Sequence, residues 1–96
     1  MKLSEMQQMI TEIYGERDKR RGVNRTFIHL VEEVGELARA LRGGDSSEMS
    51  RELADTLAWL LSVSSLLGID LETAFMSRYS NTCPKCKSNP CICPPV

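Results

Sequence analysis

Residues 53–67, LADTLAWLLSVSSLL, are apolar on nearly every side when they are drawn as a helix. A helix without a broad polar face has to be surrounded by protein. A chain of 96 residues supplies little protein for that purpose, because the buried fraction of the surface falls as chains become shorter. We therefore predict an all-α helical bundle protomer whose core is completed by dimerisation or by a dimer of dimers.

Apolar residues at helical spacing predict about four helices. They cover residues 3–18, 25–42, 46–67 and 71–79. Asn24 and Asp70 are the side chains expected to cap the second and fourth helices, and Asp45, Ser46 or Ser47 is expected to cap the third. The basic residues after the first helix are expected to form a loop near Gly22. No segment alternates with period two, so no strand is predicted.

Two pairs of acidic residues lie inside the apolar helices. Glu33 and Glu36 are three residues apart, as are Glu52 and Asp55, and such spacing puts both members on one helix face. Four carboxylates brought together by antiparallel packing would repel one another unless they bound protons or a cation. Because hard divalent ions prefer oxygen ligands, these four acids predict a site for Mg²⁺ or Mn²⁺.

The order of these acids resembles the signature of the all-α nucleoside triphosphate pyrophosphohydrolases, most closely the MazG-like branch. The signature is E-E-x-x-E followed by E-x-x-D on the next helix, here Glu32, Glu33, Glu36, Glu52 and Asp55. The resemblance implies Mg²⁺-dependent cleavage of an NTP or dNTP between the α and β phosphates, which yields a nucleoside monophosphate and pyrophosphate. This reaction would suit house-cleaning of the nucleotide pool.

The same resemblance assigns roles to the acids. Glu33, Glu36, Glu52 and Asp55 would ligate the metal, and Glu32 would orient or deprotonate the attacking water. A single E-x-x-E usually consists of two solvent-exposed carboxylates on a helix surface, whereas two such pairs beside apolar faces favour a metal site.

Basic residues near these helices are candidates for contacts with the triphosphate, since arginine can bind phosphate through two hydrogen bonds. The candidates are Arg17, Arg21, Arg25 and Arg78. The alternative for each is a solvated position at a loop end. Trp59 could stack on a base, although a lone tryptophan on an apolar helix is more often part of the core.

All four cysteines lie near the C-terminus, in the pattern C-x₂-C, a four-residue spacer and C-x-C. They are Cys83, Cys86, Cys91 and Cys93. Four thiolates so close together predict a Zn²⁺ site, with a disordered reduced tail or disulfides as alternatives. We therefore divide the chain into a catalytic domain at residues 1–80 and a Cys-rich tail, a candidate zinc knuckle, at residues 81–96.

Composition argues against several other functions. The formal net charge of −1 gives no general attraction for nucleic acid, and no run of about 18 apolar residues predicts a membrane span. The N-terminal sequence lacks the apolar region of a signal peptide, so we expect a cytoplasmic protein.

Two alternative functions remain at the level of sequence. Phosphoribosyl-ATP pyrophosphohydrolase ranks lower because ELADTLAWLL lacks the Tyr-His that such enzymes carry after their acidic motif. The other alternative is a non-catalytic helical dimer that binds metal or nucleotide without turnover.

Overall fold

Four helices and an irregular tail make up the chain, in a computed structural model that describes residues 1–96. The helices are α1 (Leu3–Arg21), α2 (Val23–Gly43), α3 (Ser46–Leu66) and α4 (Leu71–Arg78). No strand is present, and the four cysteines follow α4. The predicted all-α class, with about four helices and a Cys-rich C-terminal tail, is confirmed.

The corner between α1 and α2 differs from the prediction. Residues 19–21 were expected in a loop, but they form the last turn of α1, where basic side chains interact favourably with the helix dipole. Gly22 is the only residue between the two helices, and its φ of 86° favours glycine. Gly22, and not Asn24, therefore occupies the N-cap of α2. The Thr26 hydroxyl donates to the Gly22 carbonyl oxygen at 2.8 Å and secures the corner.

The turn between α2 and α3 is as the sequence predicts. Gly44 adopts the left-handed conformation with a φ of 75° and closes α2. The Asp45 carboxylate then accepts hydrogen bonds from the backbone amides of Ser47 and Glu48, at 2.9 and 3.2 Å. This short connection makes α2 and α3 an antiparallel hairpin, the pair that carries the acidic residues.

Helix α1 is attached to the other end of α3 through a buried amide. Gln7 donates to the Ile69 carbonyl oxygen at 2.8 Å and to Ser65 Oγ at 3.0 Å. Its own side-chain oxygen accepts from the backbone amide of Leu71 at 3.0 Å. Because Gln7 satisfies groups on both sides of the α3–α4 turn, it fixes where α1 begins along α3.

The single chain buries few large apolar side chains. Ala40, Leu61 and Val63 are its buried apolar residues. Leu53 on α3, predicted to be enclosed, is 57% exposed in the isolated protomer. No single helix could cross a membrane by length and composition; only α3 and α4 together, bent by 96°, meet those criteria as a broken span.

Candidate active site

Three carboxylates from the α2–α3 hairpin lie close together. Glu33 projects from α2, while Glu52 and Asp55 project from one face of α3. One oxygen from each of these side chains lies within 4.8 Å of the others. The antiparallel packing of two helices, together with the i,i+3 spacing on α3, produces this acidic cluster.

The cluster holds negative charge that the protein itself does not neutralise. Glu33 Oε2 and Glu52 Oε2 are both buried and have no hydrogen-bond partner. Burial, followed by the neighbouring Glu52 carboxylate and the charges of Asp55 and Glu36, raises the pKa of Glu33 to about 7. Without a cation, a proton on Glu33 therefore relieves part of the repulsion near neutral pH.

These donors suit a hard divalent cation. Buried oxygen atoms without partners are costly, and a bound cation would satisfy both of them. The cluster offers only carboxylate oxygens, the ligands that Mg²⁺ and Mn²⁺ prefer. The residues present thus fit the kind of ion that their sequence pattern predicts.

Two other acids of the motif lie outside the cluster. Glu36 accepts a hydrogen bond from the Arg39 guanidinium at 3.1 Å, although its charge still contributes to the raised pKa of Glu33. Glu32 lies 3.2 Å from His29 Nδ1, and its side chain is 66% exposed. The structure therefore brings together three of the four predicted ligands and leaves Glu32 on the outer side of α2.

A cleft between α1 and α3 adjoins the acidic cluster. Its cavity volume is about 250 Å³. The lining residues are Tyr14, Arg17, Asp18, Arg21, Asp55, Ala58, Trp59 and Ser62. Asp55 belongs both to this cleft and to the acidic cluster, so the two sites are continuous.

Two of the four predicted phosphate-binding arginines line this cleft. Arg21 is held in place: its Nη1 donates to Asp18 at 2.8 Å, and its guanidinium carbon lies 5.0 Å from the centre of the Trp59 ring. Arg17 has no ion pair within the chain. Arg25 is not among the lining residues, and Arg78 lines a separate cavity beside the cysteine tail.

Sequence reasoning gave no role to Tyr14 or Asp18, which also line the cleft. Together with Arg17 and Arg21 they follow the spacing i, i+3, i+4 and i+7, which marks one helix face. That spacing was a usable signal, but the expected loop at residues 19–21 removed Arg21 from the helix. Trp59 is partly exposed and stacks on His29, with ring centres 4.8 Å apart.

The cysteine tail forms a second cluster of metal-binding groups. The four Sγ atoms lie within 4.8 Å of one another, and none is in a disulfide. The Cys83–Cys93 and Cys86–Cys91 pairs are each separated by 3.8 Å between sulfurs. A tetrahedral Zn²⁺ with Zn–S bonds of about 2.3 Å has edges of about 3.8 Å, so these two separations fit zinc.

Backbone and side-chain hydrogen bonds shift the pKa values of these thiols in opposite directions. The backbone amide of Ile92 donates to Cys86 Sγ at 3.4 Å, and such amide contacts lower the pKa of Cys86 to about 6. Neighbouring thiols, Cys91 first, raise the pKa of Cys93 to about 11. A divalent cation at the centre would favour the thiolate form of all four.

Comparison with known families supports the sequence resemblance. The model of the MazG nucleotide pyrophosphohydrolase domain matches residues 21–87. The match contains α2, α3 and α4, with every acid of the motif, and it extends to residue 87 in the tail, past Cys83 and Cys86. A search of curated proteins found no match. Because the matched segment exceeds half of the sequence, the chain belongs to the MazG nucleotide pyrophosphohydrolase family.

Proposed function

We propose that this chain is a divalent-metal-dependent nucleoside triphosphate pyrophosphohydrolase. It would cleave an NTP or dNTP between the α and β phosphates and release a monophosphate and pyrophosphate. The observation that carries this proposal is the pair of buried, unpartnered oxygens on Glu33 and Glu52, beside Asp55, within a MazG domain. Removal of non-standard nucleotides from the pool is a use consistent with this reaction.

In this proposal the acidic cluster holds the metal and the hairpin fixes its position. Glu33, Glu52 and Asp55 would be the ligands. Glu36 stays a predicted fourth ligand, because it is close enough for its charge to raise the pKa of Glu33. Bound Mg²⁺ would neutralise charge on the phosphate oxygens and activate a water molecule. Because α2 and α3 are packed helices, the ligands need little reorganisation during the reaction.

Two further groups have proposed roles in the same reaction. Glu32, outside the cluster and beside His29, is our candidate for the carboxylate that orients the attacking water or takes its proton. Arg17, which lines the cleft without an ion pair, is the side chain best placed to contact phosphate oxygens. Arg21 contributes positive charge from a fixed position, because Asp18 and Trp59 hold it.

A substrate panel tests the proposed activity. The purified protein would be incubated with Mg²⁺ and each of the standard and modified NTPs and dNTPs, and pyrophosphate and monophosphate would be measured together. We expect both products from at least one nucleotide. Nucleotide binding without turnover across the whole panel would contradict the proposal and favour a non-catalytic module.

The raised pKa of Glu33 predicts how metal binding depends on pH. Glu33 must lose its proton to ligate a cation, so Mg²⁺ affinity should fall by about tenfold per pH unit below about pH 7. In the metal-free protein a raised pKa means that Glu33 stabilises the fold below about pH 4.5, and this contribution is lost as the pH rises through about 7.

Thermal unfolding with and without Mg²⁺ at pH 5, 6, 7 and 8 would check this dependence. We expect Mg²⁺ to raise the melting temperature at pH 8 and to have little effect at pH 5. The Glu33→Gln variant should lose most of this difference. Equal stabilisation by Mg²⁺ at pH 5 and pH 8 would contradict the assignment of Glu33 as a ligand.

We also propose that the protein is a homodimer or a dimer of dimers. One face of α2 carries four apolar side chains at helical spacing, each at least half exposed: Phe27, Val31, Val34 and Leu41. Leu53 and Leu60 on α3 are exposed as well. A soluble monomer rarely exposes such a continuous apolar surface, and a second copy of the chain would bury it.

Val34→Glu is expected to disrupt this association, because it introduces a charge at the centre of the apolar face of α2. Sedimentation equilibrium should give a mass of at least two chains for the natural protein and a lower mass for the variant. Thr73→Glu, which puts the same charge on an exposed position of α4, serves as the control. A natural protein that sediments as a monomer at micromolar concentration would contradict the proposal.

A further inference from the structure

The cleft between α1 and α3 has the size and shape of a pocket for part of a nucleotide. Each helix contributes one face with the spacing i, i+3, i+4 and i+7, from Tyr14 to Arg21 and from Asp55 to Ser62. Its volume of about 250 Å³ is below the usual range of about 300–1,000 Å³ for drug-sized ligands. A base with its sugar would therefore occupy the end of the cleft near Tyr14 and Ser62, while the phosphates lie beside Arg17 and reach the acidic cluster at Asp55.

The two aromatic rings of the cleft differ in whether other side chains already cover their faces. Trp59 already has His29 stacked against it and the Arg21 guanidinium over its ring. Tyr14 is 46% exposed and has no stacking partner within the chain. Tyr14, at the end of the cleft away from Arg21, therefore offers the open ring surface for a base.

Two buried polar groups of the cleft have unused hydrogen-bonding capacity. Asp18 is 4% exposed, and its side chain has one hydrogen bond, from Arg21 Nη1 to Oδ1. Its second oxygen, Oδ2, has no partner within the protein. Ser62 is 3% exposed, and its hydroxyl also makes no hydrogen bond within the chain. The two side chains are almost enclosed, but these two polar atoms still contact the open space of the cleft, so a polar ligand there can reach them.

We propose that Asp18 selects the base, an inference that rests on the proposed pyrophosphohydrolase function. Asp18 Oδ2 accepts a hydrogen bond from an exocyclic amino group, and the Ser62 hydroxyl pairs with a neighbouring atom of the base edge. Bases with an amino group at this position, cytosine and adenine, are therefore preferred over their oxo counterparts, uracil and hypoxanthine. A carbonyl oxygen facing Asp18 would place two acceptors against each other with no proton between them.

The size of the preference follows from the charge on the acceptor. A hydrogen bond to a charged group changes affinity by about 10- to 100-fold, and a site built around such a bond rejects analogues that lack the donor. We expect kcat/KM for dCTP to exceed that for dUTP by at least about tenfold, and ATP to exceed ITP by a similar factor. The two nucleotides of each pair differ chiefly at one position of the base, where one carries an amino group and the other an oxo group.

The experiment measures kcat/KM for these four nucleotides with the natural chain and with Asp18→Asn. Because an asparagine amide can donate to a carbonyl oxygen, the variant should reduce the dCTP to dUTP ratio at least about tenfold. Glu16→Gln removes an exposed carboxylate on α1 outside the cleft and should leave the ratio unchanged.

The outcomes separate this inference from the proposed function. Pyrophosphate release with a ratio near one in the natural protein would overturn the role of Asp18 while the proposed function stands. An equal loss of kcat/KM for all four nucleotides in Asp18→Asn would mean that Asp18 only holds Arg21. This result would also overturn the role of Asp18 in base selection. If that variant does not fold, as judged by circular dichroism, the ratios of the natural chain decide. No pyrophosphate from any nucleotide would reject the proposed function itself.

Discussion

Glu52→Gln is expected to reduce pyrophosphate release at least about 100-fold while the helices remain intact. Residues that only support a metal ligand typically cost about 10- to 100-fold when they are removed, and a direct ligand should cost at least as much. Glu52 Oε2 is buried without a partner beside Glu33, so the charge that glutamine removes belongs to the proposed metal centre. Steady-state assays with saturating Mg²⁺ would measure the loss.

The same variant should make the metal-free protein more stable. Glutamine removes a negative charge from a cluster in which Glu52 acts directly on the pKa of Glu33. A structural role for Glu52 predicts the reverse, a loss of stability along with activity. Glu48→Gln, one turn earlier on α3 and outside the cluster, is the matched control. Retention of more than a tenth of the activity by Glu52→Gln would contradict the assignment.

Asp55→Asn and Glu33→Gln should behave like Glu52→Gln, whereas Glu36→Gln is informative about the fourth ligand. Glu36 pairs with Arg39 at 3.1 Å and lies outside the cluster of the other three acids. A loss as large as that of Glu52→Gln would show that Glu36 leaves Arg39 when metal binds. A small loss would restrict the ligands to the cluster of three.

The Zn²⁺ site predicted at the four cysteines implies that removal of the metal disorders the cysteine tail and leaves the four helices folded. The tail has no apolar core, because Ile92 is 74% exposed. Its internal bonds are few, among them Lys87 N to the Cys83 carbonyl oxygen at 2.8 Å and Cys83 N to the Ser88 carbonyl oxygen at 2.9 Å. The stability of such a segment would come from the metal, since structural zinc binding is worth about 10–16 kcal/mol.

Metal analysis of protein purified without chelator should give about one zinc per chain. A strong chelator should then collapse the amide signals of residues 81–96 in a nuclear magnetic resonance spectrum to random-coil positions. Cys86→Ser should act in the same way, and Ser77→Ala, an exposed position on α4, should not. Less than about half an equivalent of zinc, or four cysteines recovered as two disulfides, would contradict the predicted zinc site.

The helices could be predicted from sequence because their information is local. Apolar periodicity located all four, and the Asp45 and Asp70 caps accept hydrogen bonds from backbone amides as expected. The α1–α2 corner was mispredicted because basic residues suit the end of a helix as well as a loop. The contacts that distinguish these possibilities are the i,i+3 ion pair of Arg21 with Asp18 and the position of Arg21 over Trp59 of α3.

The candidate site could be predicted only in part, for reasons of geometry. Spacing on α3 indicates that Glu52 and Asp55 share a face, and the short turn brings α2 alongside them. Spacing cannot show that Glu36 pairs with Arg39 and lies outside the cluster, because that contact depends on side-chain conformation. Spacing can indicate the face of α1 that lines the cleft, but it cannot show which face of α3 lies opposite, because that depends on a register fixed by Gln7.

The most direct test of the account is the product stoichiometry of a single nucleotide hydrolysed with Mg²⁺. The proposed roles of Glu33, Glu52 and Asp55 predict one pyrophosphate for every monophosphate released, with activity abolished by chelation of the metal and restored by Mg²⁺ or Mn²⁺. Release of orthophosphate and a nucleoside diphosphate, or activity unaffected by chelation, would contradict it.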